Sequence, residues 1–130
     1  MIILDGGLGR ELQAMGAPFR QPEWSALALI EGPEFVRAAH DAFLKAGADV
    51  VTTNSYAVVP FHIGDDLFAT RGKELLRLSG ELARAAADDA GRPVRVAASL
   101  PPMFGSYQPD KFDVNAATEM MYFFRDQLID

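Results

Sequence analysis

The 130-residue chain contains no cysteine. That absence excludes disulfides, thiolate catalysis and any cysteine-ligated metal within these residues. Histidine is scarce, with two copies, His40 and His62. Neither stands at a spacing that suggests a metal site. There is no basic run, and no apolar stretch approaches the ~20 residues of a membrane span. Lys and Arg number 12 against 18 Asp and Glu, for a formal net charge of −6. That balance opposes a phosphate backbone, so neither nucleic acid nor membrane is an expected partner. The opening MIILDGG meets the charge of Asp5 directly after Ile2, Ile3 and Leu4, too soon for a signal peptide, so a cytoplasmic protein is expected. No low-complexity segment or flexible linker interrupts the chain, and residues 1–130 read as one domain.

The composition that remains, 49% hydrophobic and 23% charged, is that of a soluble globular protein. Ile2-Ile3-Leu4 is a short apolar run ended by Asp5-Gly6-Gly7, which predicts a parallel-sheet strand covered on both faces. Residues 49–53 and 94–99 read the same way. Helices are predicted between them. One opens at Pro33-Glu34, carries Phe35, Val36, Ala39, Phe43 and Ala46 at helical spacing, and stops at Gly47. A second runs roughly from Lys73 to Asp89, with Leu75, Leu76, Leu82, Ala83 and Ala86 on its apolar face. A third begins near Val114 and continues through Met120, Met121 and Phe124 to the last residue. The stretch Pro101–Asp113, with Pro101, Pro102, Gly105 and Pro109, reads as a long loop. Alternating strands and helices mean parallel β/α units. The outcome is either a small open sheet or part of the wall of a barrel, since a complete (β/α)8 barrel takes about 250 residues.

In such folds functional groups gather at the carboxyl ends of strands. Three clusters qualify: Asp5-Gly6-Gly7, then Thr52-Thr53-Asn54-Ser55-Tyr56, then Ser99 with the loop behind it. An ionised Asp5 offers only acceptors and suits a substrate ammonium, whereas in a purely local role it closes a turn or caps a helix. The glycines after it permit close approach of a ligand. Thr52, Thr53, Asn54 and Ser55 offer hydroxyls and an amide suited to a polar amino acid, or to bonds that orient their own loop. Tyr56 serves either as a ligand-contacting group or as a half-buried aromatic. Gly7-Leu8-Gly9 lacks the third glycine of a dinucleotide fingerprint. His40, within a helix, reads as a packing or surface residue. His62 lies in the loop after the second strand, and a structural role is expected for it too. Arg10 and Lys111 read as solvated cations, and the Met120–Phe124 group as packing against a core or a partner.

LDGGLGREL at Leu4–Leu12, WSALALIEGPEFVRAAHDAFLKAGADVVTTNSY at Trp24–Tyr56 and VAASLPPMFGSY at Val96–Tyr107 together resemble the homocysteine S-methyltransferase family in order and spacing. The resemblance implies a (β/α)8 barrel, of which this chain supplies about three N-terminal βα units. It also implies transfer of a methyl group from a donor to the thiol of homocysteine, making methionine, with a zinc ion that favours the thiolate. By position, Asp5 and Gly6 match the family's homocysteine-binding groups, Thr53, Asn54 and Tyr56 its second-strand cluster, and Ser99 its third. Arg10 departs from a family threonine, and Leu100-Pro101-Pro102 from a more glycine-rich turn. The family's zinc cysteines lie on later strands, so no cofactor and no catalytic or metal-binding residue is expected in these 130 residues. The expectation is an N-terminal fragment of the enzyme, inactive alone. The alternative is a non-catalytic partial barrel that binds an amino acid or self-assembles. Open strand edges favour self-association in either case.

Overall fold

The computed structural model describes residues 1–101, 104–105 and 108–128. Two strands, β1 (Val50–Thr52) and β2 (Arg95–Ala97), pair in parallel, with Val50 opposite Arg95 and Thr52 opposite Ala97. The N-terminal run joins β1 through one parallel bridge, Leu4 to Val50. The Asp5 amide donates to Val50 O at 3.0 Å and the Val50 amide to Ile3 O at 3.2 Å. The spatial order is therefore the sequence order. The three segments expected as strands do lie side by side, although the first forms a bridge rather than a full strand.

Among the described residues six helices accompany this sheet: α1 (Leu8–Ala14), α2 (Ser25–Glu31), α3 (Pro33–Lys45), α4 (Pro60–Ile63), α5 (Asp65–Asp89) and α6 (Val114–Leu128). Pro33 sits in the first turn of α3, where its missing N–H leaves no bond unmade. Past Lys45 the chain turns through Gly47 at φ +104°, a conformation that side chains rarely adopt. Helix α5 begins eight residues before the expected Lys73. Gly72 looks like a breaker in the sequence, yet the Phe68 ring closes over it: a Cβ there would lie 2.9 Å from Phe68 Cδ2. Asp65 and Asp66 in the first turn complement the helix dipole. The short helices α1, α2 and α4 were not anticipated. Their lengths of 7, 7 and 4 residues give the 3.6-residue period too little room to show.

Val51 of β1 is fully buried and packs with Leu44 of α3 and with Ala83 and Ala86 of α5. One side chain points to one side of a sheet, so both crossover helices cover the same face. This single-sided winding belongs to barrel walls and differs from doubly wound sheets, which carry helices on both faces. It also corrects the expectation of strands covered on both faces. With both helices on one side, Ile2, Ile3 and Leu4 are left 60%, 46% and 67% exposed.

The main core lies among the helices. Leu12, Leu29, Val36, Leu75, Leu76 and Phe124 are at most 1% exposed, and Ala57, Val58 and Val59 join them from the segment after β1. Met120 and Phe123 of α6 pack against this cluster, while Met121 and Tyr122 face solvent, which resolves the aromatic group at 120–124. At the opposite end of the sheet from the Asp5 turn, Arg92 donates to Leu44 O at 3.0 Å and Ala48 O at 2.7 Å, tying the end of α3 to the entry of β2. Pro109–Lys111 form a 3-10 turn within the expected loop, whereas Pro102, Met103, Ser106 and Tyr107 of that loop, and the last two positions of the third predicted helix, lie outside the described residues. No helix among the described residues is long and apolar enough to cross a membrane.

Leu75→Ala removes a fully buried side chain where α5 meets the core, and is expected to cost roughly 2–5 kcal/mol. Urea unfolding followed by circular dichroism checks this; a loss below about 1 kcal/mol would show that α5 does not pack as described.

Candidate functional site

At the carboxyl ends of the strands the polar residues hold one another. Asp5 follows the N-terminal run, and both its oxygens are engaged by Thr52 at the end of β1. The Thr52 amide donates to Oδ2 at 2.6 Å and its hydroxyl to Oδ1 at 2.8 Å. A carboxylate has about four lone-pair sites, so two acceptor positions remain.

A closed ring of hydrogen bonds fixes the next pair of strand tips. The Ser99 amide donates to Thr53 Oγ1 at 3.0 Å, and the Ser55 hydroxyl donates to Ser99 O at 2.6 Å. Thr53 Oγ1 and Ser55 Oγ lie 2.8 Å apart. Because the Ser55 proton is committed to Ser99 O, the Thr53 hydroxyl must donate to Ser55. The ring thus runs in one direction, from the Ser99 N–H through Thr53 and Ser55 back to the Ser99 carbonyl, and each bond polarises the next. Thr53 and Ser55 are buried, so their hydroxyls are satisfied inside the protein rather than by water.

Asn54 reaches the other way. Its Nδ2 donates to Ser25 O at 3.0 Å, joining the loop after β1 to the start of α2. The preceding Trp24 has φ +50°, ψ −131°, an uncommon conformation for a residue with a Cβ. Its amide donates to Arg20 O at 2.7 Å, and its ring meets Phe19 edge-on at 6.1 Å. These contacts hold the turn that presents the Ser25 carbonyl.

Asp5, Gly6, Thr53, Asn54, Tyr56 and Ser99 all line one pocket of about 430 Å³, together with Leu4, Leu8, Gly9, Ser25 and Thr52. The six residues singled out in the sequence are therefore brought together. Gly6 is constrained by its neighbour: a Cβ there would stand 3.0 Å from Cε1 of Phe43 on α3. Tyr56 is 42% exposed at the pocket. Thr52, offered with its cluster as a polar group, also lines the pocket, whereas Ser25 was not singled out: it stood inside the Trp24–Tyr56 motif, and only the fold shows that α2 starts at the pocket wall. A larger cleft of about 660 Å³ between β2, α5 and α6 shares only Thr53 with this site.

Neither histidine lines the pocket, although the His62 ring lies 6.5 Å from that of Tyr56. His62 is buried in α4, its Nδ1 2.9 Å from Pro22 O and its ring edge-on to Phe61. His40 is fully buried in α3, not on the surface. Burial holds its imidazole below the ordinary histidine range, against the pull of Asp5 and Asp41, while Arg37 adds to the lowering. Arg10 is exposed, as is Lys111 in the 3-10 turn. Among the described residues no group of three or more His, Cys, Asp or Glu side chains could hold a metal ion. With no cysteine in the chain and the histidines placed as they are, these residues do not fit a zinc centre.

A family model described as homocysteine S-methyltransferase matches residues 2–129. Homocysteine S-methyltransferase 1 of Zea mays is 40% identical over 88 residues, which is 67% of this chain and 27% of that protein. Homocysteine S-methyltransferase 2 of Zea mays is 35% identical over 121 residues, 84% of this chain and 35% of that protein. Among solved structures, the metallated form of the homocysteine methyltransferase MmuM from Escherichia coli superposes with a TM-score of 0.68 at 30% identity, covering 95% of this chain and 50% of that one. The chain thus spans about a quarter to a third of the length of these plant relatives and half of the solved one. With a match running almost from end to end, and a parallel sheet wound with its helices on one face, the chain belongs to the homocysteine S-methyltransferase family.

Proposed function

We propose that this chain is the N-terminal, amino-acid-binding part of a (β/α)8 homocysteine S-methyltransferase of the cytoplasm, and that its pocket receives the amino-acid end of homocysteine. The observation that carries the reading is the convergence of Asp5, Asn54 and Ser99, from three successive strand ends, on one pocket. Asp5 takes the ammonium group on the acceptor positions that Thr52 leaves over. Gly6 lets the ligand approach the backbone, while Thr53, Asn54, Tyr56 and Ser99 shape the wall.

In the whole enzyme the reaction is a methyl transfer to the homocysteine thiol, which yields methionine. The thiolate is the nucleophile, and the resemblance assigns its activation to a zinc ion held by cysteines on later strands. The residues present do not supply that centre, so their contribution is binding and orientation. Holding the amino-acid end in a fixed place lowers the entropic cost of bringing thiol and donor together. On this reading the 130 residues alone transfer no methyl group and retain no stoichiometric zinc.

Isothermal titration of the chain with homocysteine tests the binding role. One site per chain is expected, weakened about tenfold or more in Asp5→Asn, because a charge-assisted hydrogen bond contributes ~1.5–3 kcal/mol. Equal affinity in the two proteins, with circular dichroism showing both folded, refutes it.

A second reading, a non-catalytic partial barrel that assembles with itself, is favoured by the exposed run Ile2–Leu4 beside an unfilled strand edge. Light scattering after size-exclusion chromatography is expected to give a mass above the monomer's 14.1 kDa at low micromolar concentration. A stable monomer there contradicts the predicted self-association.

A further inference from the structure

His40 is wholly buried, and among the described residues neither Nδ1 nor Nε2 has a hydrogen-bond partner. A buried polar ring without partners carries a desolvation cost, and its protonated form carries a larger one. The ring is nonetheless in a particular place. Phe43, one helical turn along α3, lies 3.0 Å from the Cβ position of Gly6. Residues three apart share a helix face, so His40 and Phe43 belong to the side of α3 against which the Asp5–Gly6 turn rests.

The charges acting on His40 are few. Asp5 acts from the turn ahead of α1, and Asp41 and Arg37 act from its own helix. Glu11 of α1 and Glu31 of α2 are not among them. Arg37 is tied to Asp41 at 3.0 Å and to Asp89 of α5 at 2.7 Å, so the charge of Asp41 is largely offset by its own partner. Asp5 accepts from the neutral donors of Thr52, and no salt bridge to it is formed among the described residues. It is the strongest of the charges that favour a proton on His40.

We propose that His40 is a positioning residue coupled to Asp5, and that its protonation state sets the pH range in which the pocket accepts an ammonium group. This rests on the reading of Asp5 as the ammonium acceptor. Neutral His40 leaves the Asp5 charge to the ligand. Protonated His40 offsets that charge and competes with the ligand for it. Linkage makes the effect reciprocal: an ammonium on Asp5 lowers the proton affinity of His40, so binding at acidic pH releases a proton. The same coupling governs folding. Burial depresses the folded-state pKa below the unfolded value of about 6.5, so the unfolded chain binds more protons in that window. The stability contributed by neutral His40 is present above that value and is lost as the pH falls through the folded-state value.

The test is an imidazole NMR titration of the 130-residue chain, with His40→Phe separating its signal from that of His62. His40 is expected to titrate below the ordinary histidine range, lower still in Asp5→Asn, and only slightly lower in the exposed variant Asp41→Asn. A midpoint unmoved by Asp5→Asn, or moved as far by Asp41→Asn, overturns the coupling. Homocysteine added to the unmodified chain is expected to lower the midpoint as well. If Asp5→Asn moves it and homocysteine does not, the coupling stands and the ammonium reading fails. In titration calorimetry the homocysteine affinity is expected to drop as the pH is lowered through the His40 midpoint. His40→Phe, which fills the space without titrating, should lose that drop; retention of it also overturns the proposal.

Discussion

Side-chain hydrogen bonds between the ends of adjacent parallel strands are the constraint on which this molecule depends. The sheet itself is slight, with three residues in each of β1 and β2 and a single bridge to the N-terminal run. Ladder bonds alone give such short strands a weak register. Two carboxylate bonds from Thr52 to Asp5, and the ring through Thr53, Ser55 and Ser99, clamp the tips where the ladder runs out. Each is worth ~0.5–1.5 kcal/mol net, somewhat more at the carboxylate. Because the ring is buried, losing one member strands the others at a further cost.

The clamps and the pocket are made of the same residues. Asp5, Thr53, Asn54 and Ser99 all line the cavity, and each takes part in a bond that fixes the wall. Whatever the pocket binds therefore meets groups that are already oriented, so little ordering is left to be done on binding. Asp5 keeps acceptor positions that Thr52 does not use. Thr53, by contrast, spends its hydroxyl on the ring, so its part in the site is to set the position of Ser99. The helices explain why the turns can hold these shapes. The ring of Phe43 presses on Gly6 from α3, and the uncommon backbone of Trp24 is held by Arg20 and Phe19.

Much of this was legible in the sequence, for identifiable reasons. Apolar runs ended by Asp5-Gly6, Thr52-Thr53 and Ser99 marked the three strand tips, and the rule that parallel folds act at those tips picked out residues that the fold brings to one cavity. The long helices α3 and α5 carried enough turns for their period to show. What escaped notice was short or depended on tertiary contact. Helices α1, α2 and α4 span two turns or fewer, and Gly72 hid the first two turns of α5 because its cover, Phe68, is evident only in the fold. The sequence left His40 between packing and the surface, and its place on the α3 face toward the Asp5 turn puts it inside. The exposure of Ile2–Leu4 was missed because an apolar run says that a strand wants cover, not where the cover is.

The most direct test of the clamped strand tips is amide hydrogen exchange, followed by NMR. Two amides at the strand ends donate to side chains: Thr52 N–H to Asp5 Oδ2, and Ser99 N–H to Thr53 Oγ1. Both should exchange as slowly as the amides of Arg95 and Thr53, which donate to the backbone carbonyls of Asp49 and Ala97. Exchange of either at the rate of an unstructured peptide, while the ladder stays protected, would contradict the account.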